Sequence, residues 1–193
     1  MEQVAFLLHD STLLNLRGLI GLPLRQIDFQ GIFPSGTVGA LPLTFWAGDL
    51  GVSIGVESDE FPISPFDFYP VISFVEIRSD SEPSQSFGRI LHLQDQRLLD
   101  IEIVRWSVKG FHAGGQFLDM VLDLGFVLRT NSGFISLQRT FAGDFAVDIQ
   151  LGTHGDVVTI VSPADFCGAE DEGYRYDVKY EVISLSEKFP TIN

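Results

Sequence analysis

The stretch LPLTFWAGDLGVSIGVE, residues 41–57, constrains the fold more than any other part of the chain. Apolar side chains alternate on the way in (Leu41, Leu43, Phe45) and on the way out (Leu50, Val52, Ile54, Val56), around Trp46-Ala47-Gly48-Asp49. A period of two puts those side chains on one face of a strand, whereas on a helix they would scatter around the axis. The stretch therefore predicts a β-hairpin with one buried face. The pattern returns further on, where Leu122, Leu124, Phe126 and Leu128 precede an Asn131-Ser132-Gly133 turn, with Ile135 and Leu137 after it. On the return arm of the first hairpin, Gly51, Ser53 and Gly55 share the other face, and two glycines there predict a close backbone or side-chain approach, read as another layer packed on that face, or a bulge.

Taken in order, residues 1–22 admit two readings. Asp10 and Ser11 suit the start of a short helix through Leu16, ended by Gly18 or Gly21, but a short strand followed by a turn is the expectation kept here. PLRQIDFQGIF from Pro23 reads as a strand with one irregularity, and Pro34-Ser35-Gly36 as a turn. Residues 58–67 read as loop, 68–78 as a strand with little exposure, and the polar stretch 79–86 as a linker. Residues 87–108 predict two strands joined at Gln94-Asp95-Gln96, and 110–115 a loop. Residues 145–151 and 157–161 predict a further hairpin around Gly152 to Asp156. An acidic loop, 165–173, leads to a last strand over 174–185.

Four segments recur in the same order. Leu24, Ile27 and Phe29 match Leu98, Ile101 and Ile103; Leu41, Leu43 and Phe45 match Leu122, Leu124 and Phe126; Gly48, Leu50 and Val52 match Gly133, Ile135 and Leu137. The fourth match sets Tyr69 to Ser73 against Tyr180 to Ser184. The spacing grows at each step, as a duplication with insertions in the second copy would leave it. The expectation is an all-β protein, a β-sandwich or barrel built from two duplicated halves related by a pseudo-twofold axis. The first unit covers residues 1–80 and the second 86–193, with an inserted hairpin and acidic loop, the two together forming one compact domain.

Charge narrows the function. The chain carries 26 acidic and 12 basic residues, a net charge of −14, and the excess is spread over both halves. Such a field repels phosphate backbones and attracts basic proteins or cations, so nucleic acid is not an expected partner. The single cysteine, Cys167, allows no intramolecular disulfide and suits a reducing compartment. The apolar run from Val4 to Leu8 is too short to span a bilayer and lacks a basic start. A cytoplasmic protein without membrane contact is expected.

Recognisable chemistry is scarce. The histidines, His9, His92, His112 and His154, show no metal-ligand spacing, and phosphate loops and dinucleotide fingerprints are missing from the sequence. Gly51-Val52-Ser53-Ile54-Gly55 has the Gly-x-Ser-x-Gly spacing but falls within the return strand of the first hairpin, not at the strand-to-helix turn that a nucleophile elbow needs. The reading assigns no catalytic residue, metal or cofactor. Asp119, Val121 and Asp123 share one strand face, read as an ordinary wet surface. The residues expected to meet a partner are the acidic cluster Asp165, Glu170, Asp171, Glu172 and Asp177, with Trp46 at its hairpin tip as an aromatic anchor. The leading expectation is a non-catalytic interaction protein that docks on or inhibits a basic protein, in the manner of an immunity protein against a toxin. Two alternatives are a barrel that holds a small apolar ligand, and an enzyme using loop carboxylates with His112 or His154.

Overall fold

The computed structural model describes residues 3–30, 38–57, 71–78, 89–139, 146–160 and 173–190. Its elements run β1 (Val4–Phe6), α1 (Asp10–Arg17), β2 (Pro23–Gln30), β3 (Val38–Ala47), β4 (Leu50–Glu57), β5 (Val71–Arg78), β6 (Arg89–His112), β7 (Gly115–Thr130), β8 (Gly133–Arg139), β9 (Ala146–Thr153), β10 (Tyr174–Ser184) and α2 (Leu185–Lys188). The all-β class stands. All pairings are antiparallel except that of β1 with β7.

The strand path closes on itself. β2 pairs β3, β3 pairs β9, β9 pairs β8, β8 pairs β7, β7 pairs β6, and β6 pairs β2. The narrowest join is β3 to β9, made through Val38↔Val147 and Ala40↔Ala146. Closure removes the two free edges that an open sheet of these strands would have. One face of the circuit supplies the main core: Leu24, Ile27, Leu43, Phe45, Ile101, Ile103, Phe126, Leu128, Ile135 and Leu137 pack together with Val52 and Ile54 of β4. The core thus draws on both sides of the 79–88 stretch, and between barrel and sandwich the closed circuit decides for a barrel.

Both hairpins form where the alternation places them, with tighter turns. Ala47 pairs Leu50 across Gly48-Asp49, and Thr130 pairs Gly133 across Asn131-Ser132. The Trp46 ring covers Gly51, where an added Cβ would lie 2.9 Å from the ring edge. The close approach at Gly51 thus comes from the hairpin's own ring and not from another layer, while at Gly55 the pairing with β5 shifts register.

Other expectations change. Residues 10–17 form a helix, with His9 as N-cap and Gly18 as C-cap. An eight-residue helix has little stability of its own. Burial of Leu13 and Leu16, with Leu19 beyond the helix, in the main core is what secures it. The two strands expected over 87–108 are one continuous strand, β6. Its first part is paired by β2 and its second by β7 and β10, so the ladder carries the chain past Gln94 and Gln96 without a turn. The turn expected at 110–115 shrinks to Ala113-Gly114, both at positive φ (50° and 79°), the geometry of a two-residue hairpin loop. The second arm expected after β9 is not a ladder strand over 157–160: side-chain amides hold it instead, Gln138 and Gln150 both donating to the Thr159 carbonyl and Gln150 accepting from its N–H.

The strand order does not show the duplication. β2–β3–β4 and β6–β7–β8 are both antiparallel meanders, but the fourth match fails: β5 lies beside β4, whereas β10 lies beside β6. The turn expected at residues 34–36, the loop over 58–67, the linker over 79–86 and the acidic loop at 165–172 fall outside the described residues.

Candidate functional site

The barrel wall made by β6 and β7 changes character along its length. Ile101 with Leu128, and Ile103 with Phe126, face the main core. Beyond Val104 the register shifts, because Arg105 pairs Asp123 and leaves Leu124 as an extra residue on β7. On the same face, Arg105 and Asp123 come next and Lys109 with Asp119 follows. On the other face Val104, Trp106, Val108, Met120, Leu122 and Val127 build a second apolar cluster. A wall with apolar residues on both sides at adjacent positions needs both sides covered. Segment 157–160 contributes Val158 and Ile160 to the second cluster, and β10 contributes Tyr176 and Val178.

Asp123 is not on a wet face. It is 1% exposed; Arg105 donates to it from Nε at 2.7 Å and from a terminal nitrogen at 3.2 Å, and the Leu8 N–H donates at 2.9 Å. The hydrogen bonds to the Asp123 carboxylate raise the Arg105 pKa above its ordinary value, against the opposing effect of burial, with smaller contributions from Glu181 and Asp10. A fork-to-fork pair with a third donor from the link between β1 and α1 is a structural clamp: it ties the N-terminal segment to β7. Alternation alone could not reveal this, since a buried aspartate and an exposed one occupy the same strand position.

The expected partner-binding residues divide. Asp165, Glu170, Asp171 and Glu172 are outside the described residues; in sequence they immediately precede β10. Asp177 lies on β10 with its side chain 54% exposed and bridged at 3.5 Å to Arg175. Trp46 is buried, at 8% exposure, and its indole Nε1 donates to Asp28 at 2.8 Å. Its role as an exposed anchor is therefore withdrawn: the ring is used up by Gly51 on its own hairpin and its polar end by Asp28.

The two loop histidines cannot act together. His112 ends β6 next to the β6–β7 turn, while His154 follows β9 and bonds the Asn131 carbonyl through Nε2 at 2.8 Å. They stand at opposite ends of the 16-residue strand β7, roughly 50 Å at the rise of a strand. His9 touches the Ser11 hydroxyl at 2.8 Å, but the same Nδ1 accepts the Ser11 N–H, which is a helix cap.

One cleft of about 290 Å³ opens where the β7–β8 turn meets the end of β9, lined by Leu93, Gln96, Thr130, Ser132, Phe134 and Asp156 among others. Its carboxylate is already engaged. The backbone N–H of Thr153, then its hydroxyl, hold Asp156 at 2.7 and 2.9 Å and lower its pKa below the ordinary value. Thr153 and Asp156 thus staple the turn that carries His154. Among the described residues, most side chains of the main core are at 0–3% exposure.

Among the described residues, no group of three or more His, Cys, Asp or Glu side chains is arranged to hold a metal ion, and no helix is long and apolar enough to cross a membrane. Comparison with family models, with characterised proteins and with solved structures finds no match to this chain.

Proposed function

We propose that this protein is a non-catalytic interaction protein that uses its negative charge to dock on a basic protein. The observation that carries the reading is how the charge is distributed. Of 12 basic side chains, Arg25, Arg105, Lys109, Arg129, Arg175 and Lys188 each lie within 4.0 Å of a carboxylate of the same chain. Among the described residues at least these six positive charges are spent internally, and carboxylates outnumber the bases that remain. In sequence, the run Glu170-Asp171-Glu172 just before β10 is the densest part of the acidic excess. Such a surface draws a basic partner in quickly and depends on salt. The narrower form of the reading is an inhibitor of the immunity-protein kind, in the cytoplasm, that covers a basic target surface.

The test is a pull-down from native extract, followed by association kinetics with the retained basic protein. Association is expected to slow at least about tenfold between low salt and roughly 0.5 M salt. Replacement of Glu170, Asp171 and Glu172 by lysine is expected to slow it at low salt as well. An association rate indifferent to both changes overturns the reading.

A further inference from the structure

β10 pairs with β6 over all of its 11 residues, and among the described residues no strand takes its other edge. An edge strand presents a row of unpaired N–H and C=O groups, and a protein keeps such an edge either blunted or in use. The side chains of β10 show which. On one face Arg175, Asp177, Lys179 and Glu181 follow at alternate positions, all exposed. The other face carries Tyr176, Val178, Tyr180 and Val182, with Tyr180 and Val182 at 55% and 43% exposure. Base, acid, base, acid is an antisymmetric order about Val178, while the apolar face is nearly symmetric about the same residue.

We propose that β10 pairs antiparallel with β10 of a second copy of this chain, about a two-fold axis through Val178. In that register Arg175 stands opposite the partner's Glu181, and Asp177 opposite the partner's Lys179. Symmetry repeats both pairs, so all eight charges are matched. On the other face Tyr176 meets the partner's Tyr180 and Val178 meets the partner's Val178. A C2 contact needs this self-complementarity, and directly opposed pairs are the unit that stabilises a sheet. Neighbouring registers are rejected by the same side chains. With the axis on Asp177, Asp177 faces its own copy and Arg175 faces Lys179. With the axis on Lys179, Lys179 faces its own copy and Asp177 faces Glu181.

The bridges that β10 makes within its own chain, Arg175 to Asp177 at 3.5 Å and Arg105 to Glu181 at 3.9 Å, are long, with Arg175, Asp177 and Glu181 exposed. Little is lost when they re-pair. The net charge of −14 on each copy opposes association at long range. That repulsion acts over distances that salt screens well, while directly opposed pairs are screened less. Moderate salt therefore tightens this dimer, the reverse of its effect on docking to a basic protein, and the two proposals fail independently.

Sedimentation equilibrium of the full chain tests the pairing. A concentration-dependent dimer is expected, with a dissociation constant that falls as salt rises to about 0.15 M. Lys179→Glu alone, or Asp177→Lys alone, makes both central pairs like-charged and is expected to raise the dissociation constant about tenfold or more. The two single variants mixed together are expected to associate again, as is the chain carrying both substitutions. All of these side chains are exposed, and circular dichroism checks that the fold is kept. A chain that stays monomeric at every concentration overturns the proposal, and so does a dimer indifferent to the single substitutions or single variants that do not complement each other.

Discussion

In the β3–β4 hairpin the Trp46 ring lies across Gly51; beside the β7–β8 hairpin the Phe134 ring lies across Gly152 of β9. In both places a large ring sits where a neighbouring strand has no side chain, so the aromatic face covers bare backbone. The chemistry at the two sites differs. The indole brings an N–H into a buried setting, and Asp28, itself 6% exposed and also held by Gln26, accepts it. The phenyl ring brings no donor; the Arg129 guanidinium stacks 5.6 Å from its centre and pairs with Glu102 at 2.8 and 2.9 Å. The first site adds a buried hydrogen bond to its packing. The second adds a backbone approach, because Gly133, at φ 147°, lies so near Gly152 that an added Cβ would run into its carbonyl oxygen.

That contrast predicts a ranking. Gly133→Ala has the largest effect, because the obstacle is backbone and the φ disfavours any side chain; a loss of about 3 kcal/mol in urea unfolding is expected. A loss under 1 kcal/mol would mean that the β8–β9 approach is looser than described. Gly152→Ala puts a methyl against the Phe134 ring. About 2 kcal/mol is expected, and much less when Phe134 is leucine, so a double-mutant cycle with no coupling would break the comparison. Trp46→Phe keeps a ring over Gly51 but removes the donor to Asp28. About 1–2 kcal/mol is expected from the acceptor left short, and an unchanged urea midpoint would show that water replaces the indole.

The smallest effect concerns the turn after Gly152. The folded Asp156 carboxyl titrates below its ordinary value, so its bonds to Thr153 are fully present at neutral pH and fade as the pH falls through that lowered value. Hydrogen exchange at the Thr153 amide, corrected for intrinsic rates, is expected to lose protection only in that acid range, and not at all in Asp156→Asn. Protection that is flat with pH in the unmodified chain would remove Asp156 from the turn.

The two hairpins were legible in the sequence because alternation is a local property: a strand turns successive side chains to opposite faces, so Phe45 and Val52, or Phe126 and Ile135, share a face wherever the strand goes. Gly51 was legible for the same reason, as a gap on a strand face. The fate of Trp46 was not, because position 46 reads the same with the ring in solvent or over Gly51. Only the pairing of Gln26 with Trp46 sets β2 beside that ring and brings Asp28 within reach of its N–H. Of the candidate site, only the acidic excess was legible, in composition. That β10 would lie beside β6 with its other edge left free of described strands was not.

The chain by itself determined that strands dominate, where the two long hairpins turn and which face of each is apolar. Tertiary structure decided the rest: that six strands close into a circuit, that residues 10–17 coil into a helix once Leu13 and Leu16 find the core, that β6 runs on past Gln94 and Gln96, and that Asp123 is buried on Arg105. The physical reason is range. Periodicity is written within a few residues, whereas partner choice and the burial of a charge depend on groups brought together from distant parts of the chain, here Leu8 and Asp123, 115 residues apart.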